Sequence, residues 1–457
     1  MSSEVAQEVF SHIPDGWGCA RLIDCTTDGN ISYGIVQPGQ HSDDGIPIIR
    51  VNNVNNGQLE LDDVLKVAPE IEEKYKRTRL IGGEVLLTLV GSTGQSFVAP
   101  SQLAGWNVPR AIAVIRPKVE IGADWINICL QSKPVQHFLD VRANTTVQKT
   151  LNLKDVRDIP IPLPPEGIKE KIESIAVSLQ GKIELNRQIN QTLEHIAQAI
   201  FKSWFVDFEP VKAKIHAKQN GHDPERAAMC AISGKTDTEL DTWLQTCTPE
   251  ERQQLTTTAA LFPDELEDSE LGPIPKGWEV RKIEEVINRF PVGKKFSQKT
   301  ASEAGAVPIL DQGKSGIIGF HDEKPGVKAS PEDPIIVFAN HTCYMRLIMH
   351  DFSAIQNVLP FKGGDINVYW IFMATYGKQE FIEYKGHWPD FVIQQITIPN
   401  SDLDVAYGNL VADHFKMIFL REKENESLSL IRDALLPKLL SGEIDLTESQ
   451  AKAEAIA

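Results

Sequence analysis

A few short strings in this 457-residue chain have the residue types of a reactive site, and each lacks a partner that the chemistry requires. Gly234-Lys235-Thr236 ends like a phosphate-binding loop, in which backbone amides and a lysine cradle phosphates. Met229 stands where the first glycine of that loop belongs, and no apolar strand precedes it. Trp388-Pro389-Asp390 and Pro263-Asp264 offer the start of a nuclease carboxylate pair, but neither leads into the acidic-x-Lys partner that would help place a magnesium ion. Gly91-Ser92-Thr93-Gly94 follows an apolar run and opens no helix, so it reads as a polar loop. The 11 histidines contain no H-E-x-x-H, and the six cysteines stand singly. That spacing argues against a disulfide framework or a zinc site and fits a reducing compartment. The chain also lacks the Asn-Pro-Pro-aromatic tetrapeptide of an adenine methyltransferase and a glycine-rich cofactor turn. The expectation is a chain with no catalytic residue, no metal site and no bound cofactor.

The elements that would position polar loops emerge from an internal repeat, the first thing to seek in a chain of this length. Ile13-Pro14-Asp15-Gly16-Trp17 returns as Ile274-Pro275-Lys276-Gly277-Trp278, and Ile46-Pro47-Ile48-Ile49 as Val307-Pro308-Ile309-Leu310, both at an offset of 261. Ile159-Pro160-Ile161-Pro162 matches Ile396-Thr397-Ile398-Pro399 at 237. Leu185, Asn190, Leu193, Ile196 and Ala199 then align with Leu420, Asn425, Leu428, Ile431 and Ala434 at 235. Each copy opens with short β-rich runs broken by Gly, Asn and Pro, such as 84–90 and 335–338, which predicts a compact α/β or β-rich domain.

Each copy closes with a long helix. Ile168, Ile172, Ile175, Leu179, Ile183, Asn186, Asn190, Leu193, Ala197, Ile200 and Trp204 follow a three–four spacing, a coiled-coil seam in which the asparagines set register. The second helix runs from about Val405 to Leu440, with Val411, Phe415, Ile418, Leu428, Ile431, Leu435 and Leu439 on its stripe. A helix of this size reaches ~57 Å. Each could pack on its own domain; two matched seams favour pairing with each other. The expected fold class is therefore α/β (α+β), with two tandem domains, each followed by a long helix, and the helices paired as an antiparallel coiled coil. The predicted boundaries are 1–165, 166–208, 209–273, 274–402, 403–445 and a tail at 446–457. The segment 209–273 reads as a connector with a small helical insert.

Charge sets a limit on function. The net charge is −17, unlike a typical basic nucleic-acid-binding domain. Residues 1–165 carry 15 basic and 19 acidic side chains, and residues 274–402 carry 14 and 15. The segment 209–273 holds 6 against 13, so much of the acidity lies between two nearly neutral domains. No apolar run approaches the ~20 residues of a membrane span, and the first residues do not read as a signal peptide, so a cytoplasmic protein is expected.

This organisation resembles the specificity subunit of type I restriction–modification enzymes. Ile13-Pro14-x-Gly16-Trp17 and its twin look like openings of that family's target-recognition domains, and Gly83-Glu84-Val85-Leu86-Leu87-Thr88 like an early strand. Lys149 to Lys154, leading to Ile159-Pro160-Ile161-Pro162-Leu163-Pro164-Pro165, resembles the closing segment. Leu185 to Phe208 resembles the central spacer helix, and Ile431 to Ile444 the C-terminal one. The resemblance implies a non-catalytic DNA-binding subunit that reads a split double-stranded target, each domain taking one half and the helices setting the gap. It implies two modification (methyltransferase) subunits and restriction (motor-nuclease) subunits as partners, with S-adenosylmethionine, ATP and Mg on those partners. Base readout calls for amide, hydroxyl and guanidinium groups on loops. The candidates in the first domain are Arg50, Asn52, Asn53, Asn55, Ser92, Thr93, Gln95, Arg110 and Gln148. In the second they are Gln312, Lys314, Ser315, Asn340, His341, Thr342, Arg346, Gln356 and Asn357. Lys74, Lys76, Arg77 and Arg79 are candidate phosphate contacts. Asn186, Asn190, Leu193, Ile200, Trp204, Leu428, Ile431 and Leu435 are the candidates for subunit assembly.

Overall fold

The computed structural model describes residues 9–10, 13–55, 58–59, 61, 63–143, 149–313, 316–400, 402–444 and 446. The chain divides into two compact units, 1–185 with 424–457, and 186–423. Both divisions fall inside long helices, the central helix Glu166–Phe205 and the distal helix Leu403–Leu440. Each unit therefore combines one β-rich domain with half of each helix, a grouping that runs across the linear order of the sequence.

In the first unit a four-stranded sheet has the order Thr26–Tyr33, Ile112–Pro117, Val85–Thr88, Ser96–Val98, all neighbours antiparallel. Val85–Thr88 is buried throughout, as its continuous apolar run requires. The second unit repeats the sheet in the same order with Ile287–Arg289, Val358–Gly363, Ile335–Ala339 and Met345–Ile348. A two-stranded ribbon closes each domain: Gly18–Arg21 pairs with Pro160–Leu163, and Glu279–Lys282 with Gln395–Ile398. Arg21 faces Pro160 and Lys282 faces Gln395, so the closing strands correspond at an offset of 235. The expected 237 is corrected: matching the proline strings slips the alignment by two residues, which keeps every side chain on its own face and so leaves the pattern intact.

The two long helices run antiparallel within each unit. In the first, Ile172 and Ala176 share a core with Leu436, Leu439 and Leu440, and the Arg432 guanidinium donates to the Gln180 side-chain carbonyl at 2.9 Å. In the second, Ala197, Trp204 and Phe205 pack with Leu403, Tyr407, Val411 and Phe415, and the buried Tyr407 hydroxyl donates to the Ala197 carbonyl at 2.9 Å. Asn186, Asn190 and Trp204 are buried, and Leu193 and Ile200 pack against the same core. Leu435 packs on the first unit's core, Leu428 is half-buried, and Ile431 is 47% exposed. The assembly candidates thus lie largely on the chain's own seam. The expected stripe through Ile431 is displaced by one residue, to Asn425, Arg432, Leu436 and Leu439, which restores the three–four spacing.

The segment after the central helix is more structured than a connector. Phe208, at φ 53°, turns the chain into four helices, Glu209–Gln219, Pro224–Ser233, Asp237–Thr246 and Pro249–Leu261. Gly234, at φ 66°, ends the second of these, and Thr236 caps the third in a capping box with Glu239. The Gly-Lys-Thr string is therefore a helix–helix corner. No helix among the described residues is long and apolar enough to cross a membrane.

Candidate nucleic-acid interface

Both sheets present the same end, built by the same backbone bonds. In the first unit, Leu89 N donates to the Ala111 carbonyl at 2.7 Å and Leu151 N to the Leu89 carbonyl at 2.8 Å. In the second, Asn340 N donates to the Asn357 carbonyl at 2.9 Å and His387 N to the Asn340 carbonyl at 2.8 Å. Three chain segments thus meet at each end: the one leaving the third strand, the one entering the second, and the one leading to the closing ribbon.

In the first unit this end holds Ser92, Thr93, Gln95 and Arg110. The turn hangs on the buried Thr88, whose hydroxyl donates to the Ser92 carbonyl at 2.5 Å and accepts from Gln95 N at 2.9 Å. Gly94, at φ 86°, makes the turn possible, and the Gln136 amide donates to its carbonyl at 2.8 Å. Ser92 is exposed, Thr93 is half-buried, and the half-buried Gln95 keeps a side-chain carbonyl without a partner among the described residues. Arg110 is exposed, with its backbone tied to the Ile35 carbonyl at 2.8 Å. Gly91 N bonds the Lys149 carbonyl at 3.0 Å; Gln148 lies outside the described residues.

The remaining first-unit candidates are not brought to that turn. Arg50 donates to the Asp63 carboxylate at 2.7 Å and carbonyl at 2.9 Å. Asn53 is buried, accepting from Arg50 N at 3.0 Å and donating to the Asp63 carbonyl at 2.9 Å. These two are engaged in holding their own turn, while Asn52 is exposed; the Asn55 side chain lies outside the described set. Arg79 is clamped by Glu72 and Glu73, and Asn107 donates to the buried Glu72 at 2.9 Å. The Arg79 guanidinium, and then Asn107, hold the Glu72 carboxyl below the usual carboxylate range against the opposing effect of burial. Lys76 pairs with Glu73 at 3.3 Å. Arg77 and Lys74 are exposed. A cation already paired with carboxylates offers a phosphate less net charge than one that is not, so Arg77 and Lys74 are the stronger phosphate candidates.

In the second unit, Gln312 joins two segments: its side-chain carbonyl accepts from His341 N at 2.9 Å and its backbone carbonyl from the Thr342 hydroxyl at 2.5 Å. Arg346 donates to the Asp311 carbonyl at 2.9 Å and lies 5.4 Å from the Tyr344 ring centroid. Burial lowers its pKa from the ordinary arginine value. Asn340 is a clamp, its side-chain carbonyl accepting from Trp388 N at 2.8 Å. His341 keeps Nδ1 buried and without a partner among the described residues, and its ring centroid lies 4.9 Å from that of Tyr384. Gln356 is exposed and Asn357 sits at φ 69°, a value asparagine tolerates. Lys314 and Ser315 lie outside the described residues.

Sequence reasoning missed the third segment of the second unit, 377–387. The equivalence of Leu151 and His387, which marks this segment, is carried by backbone bonds that no sequence pattern announces. Among the described residues, no cluster of three or more His, Cys, Asp or Glu side chains could hold a metal ion.

Comparison with known proteins gives this geometry a context. Residues 38–195 match the family model described as type I restriction modification DNA specificity domain. The chain is 27% identical, over 87% of its length and 94% of the relative's, to the type I restriction enzyme HindI specificity subunit of Haemophilus influenzae. It is 24% identical, over 80% of its length and 78% of the relative's, to the MjaIX specificity subunit of Methanocaldococcus jannaschii. It is also 31% identical to the EcoBI specificity subunit of Escherichia coli, over 40% of its length and 39% of that relative. With the repeated sheet, the repeated loop end and the antiparallel helices, these similarities lead to one conclusion: the chain is similar, along most of its length, to type I restriction enzyme specificity subunits.

Proposed function

We propose that this chain reads a two-part DNA sequence, one part with each repeated loop end, and carries no catalytic centre of its own. The single observation behind this reading is that one scaffold presents two different sets of side chains at equivalent places. The first has Ser92, Thr93, Gln95 and Arg110; the second has His341, Thr342, Gln356 and Asn357. A constant sheet with exchanged polar tips is what base readout requires, because donors and acceptors on the tips select base edges while the frame holds them. The paired helices act as a spacer between the two parts of the target. Methyltransferase subunits assemble on this chain and supply S-adenosylmethionine chemistry on adenines turned out of the stack. Motor-nuclease subunits with ATP and Mg join that core.

The test is co-expression with the cognate methyltransferase subunit and mapping of modified adenines by long-read sequencing. A two-part motif with a fixed gap, absent when this chain is omitted, is the expected result. Methylation that does not depend on this chain, or none from an assembled complex, would replace the reading with that of a protein scaffold.

A further inference from the structure

The segment between helix Val368–Thr375 and the closing turn of the second unit carries an exposed apolar cluster on a pinned frame. Phe381 is 55% exposed, Ile382 76% and Tyr384 82%. Exposed aromatics placed so closely are uncommon on a surface that nothing covers. The frame beneath them is fixed. His387 is fully buried, with Nε2 bonded to the Glu383 carbonyl at 3.0 Å, and its backbone N and that of Trp388 both end on Asn340. Gly386 lies close under the same clamp: a Cβ there would stand 2.9 Å from the Asn340 side-chain nitrogen. The segment is therefore fastened to the loop that carries His341, and Tyr384 meets the His341 ring.

From this placement we infer that Phe381, Ile382 and Tyr384 form an apolar wedge that contacts the bases of the DNA part read by the second domain. The inference rests on the DNA-reading function proposed above. Two observations favour DNA as the occupant. The segment is continuous with the candidate readout loop through Asn340. It ends at His387, whose N bonds the Asn340 carbonyl as Leu151 N bonds the Leu89 carbonyl in the first unit, at the corresponding end of the repeated sheet. The flanking Lys385 is held by Glu383 at 3.4 Å and Asp390 at 3.3 Å, which limits the contact to bases and leaves phosphate binding to other residues. An apolar tip suits thymine methyl groups and base faces, where neutral side chains act by contact and by opening a base step.

The experiment uses the complex assembled with its methyltransferase subunits and compares wild type, Tyr384→Ala, the double variant Phe381→Ala/Ile382→Ala, and Tyr384→Phe. Because all three side chains are exposed, the fold tolerates their removal. Subunit ratio is measured by size exclusion with mass detection, affinity on a labelled cognate duplex, and the motif by methylation mapping. The expected result is unchanged assembly, roughly tenfold weaker binding for the alanine variants, and relaxed readout in one part of the motif. That part is the one that Gln356→Ala also alters; Tyr384→Phe keeps wild-type behaviour. Unchanged affinity and motif in the alanine variants would overturn the inference. So would loss of the methyltransferase subunit, which would assign the cluster to a protein contact. A wild-type complex without selective methylation would instead remove the DNA-reading function itself, and the wedge with it.

Discussion

Asn190 and Asn425 stand 235 residues apart and make the same contact. The Asn190 side-chain amide donates to the Ile418 carbonyl at 3.3 Å, and the Asn425 amide to the Ile183 carbonyl at 3.4 Å. The two acceptors are also 235 residues apart, so the repeat offset exchanges donor and acceptor between the helices. A polar group on an apolar seam specifies register because any other alignment leaves it facing hydrocarbon. Asn190→Asp and Asn425→Asp each replace the donor with a carboxylate aimed at a carbonyl oxygen. Each should cost about 2 kcal/mol, read as a lower urea midpoint. Stability unaffected by either change would remove the register role.

Tyr407→Phe tests the neighbouring seam contact without changing its shape. The hydroxyl is buried and bonded to the Ala197 carbonyl, and its removal should cost about 1 kcal/mol. Chemical denaturation of the purified chain measures this, and methylation mapping should return the wild-type motif.

Glu72 links pH to the stability of the first domain. Its carboxyl is held below the usual range, chiefly by Arg79, so the folded state binds its proton less tightly than the unfolded state does. The resulting stability is fully present above the ordinary glutamate value and is lost as pH falls through the lowered one. Glu72→Gln should therefore destabilise by about 1–2 kcal/mol at pH 7. The gap from wild type should narrow as the solution is acidified below pH ~4. A gap that is constant with pH in denaturant titrations would contradict this linkage.

Asn340→Ala removes the acceptor for Trp388 N and loosens the clamp between two segments of the second loop end. Methylation mapping should show relaxed readout confined to one part of the motif. The other part and the subunit ratio should stay as in wild type.

Arg110→Ala and Arg77→Ala separate base reading from phosphate contact, both side chains being exposed. Arg110→Ala should lose about 1–3 kcal/mol of discrimination at one base position. Arg77→Ala should weaken binding evenly across sequences and lower the slope of log affinity against log salt by about 1. Competition assays on single-base variants, repeated at several salt concentrations, distinguish the two outcomes.

Sequence periodicity and repeat carried much of this molecule. The landmarks at Ile13 and Ile274, the closing strands and the paired asparagines are local patterns, visible because backbone geometry repeats every two residues in a strand and about 3.6 in a helix. The polar tips at 92–95, 340–342 and 356–357 were legible for the same reason, as turn-forming text between apolar runs. What tertiary structure decided was which polar groups are already engaged. Arg50, Asn53 and Arg79 have the right chemistry for DNA, yet Asp63 and Glu72 hold them, and those partners lie 7 to 13 residues away in a chain that had to fold before they met. It also decided that the apolar side chains at 381–384 point outward, where composition alone predicts core. Periodicity is a property of neighbouring residues, whereas the state of a donor, a charge or a ring depends on what long-range packing brings against it.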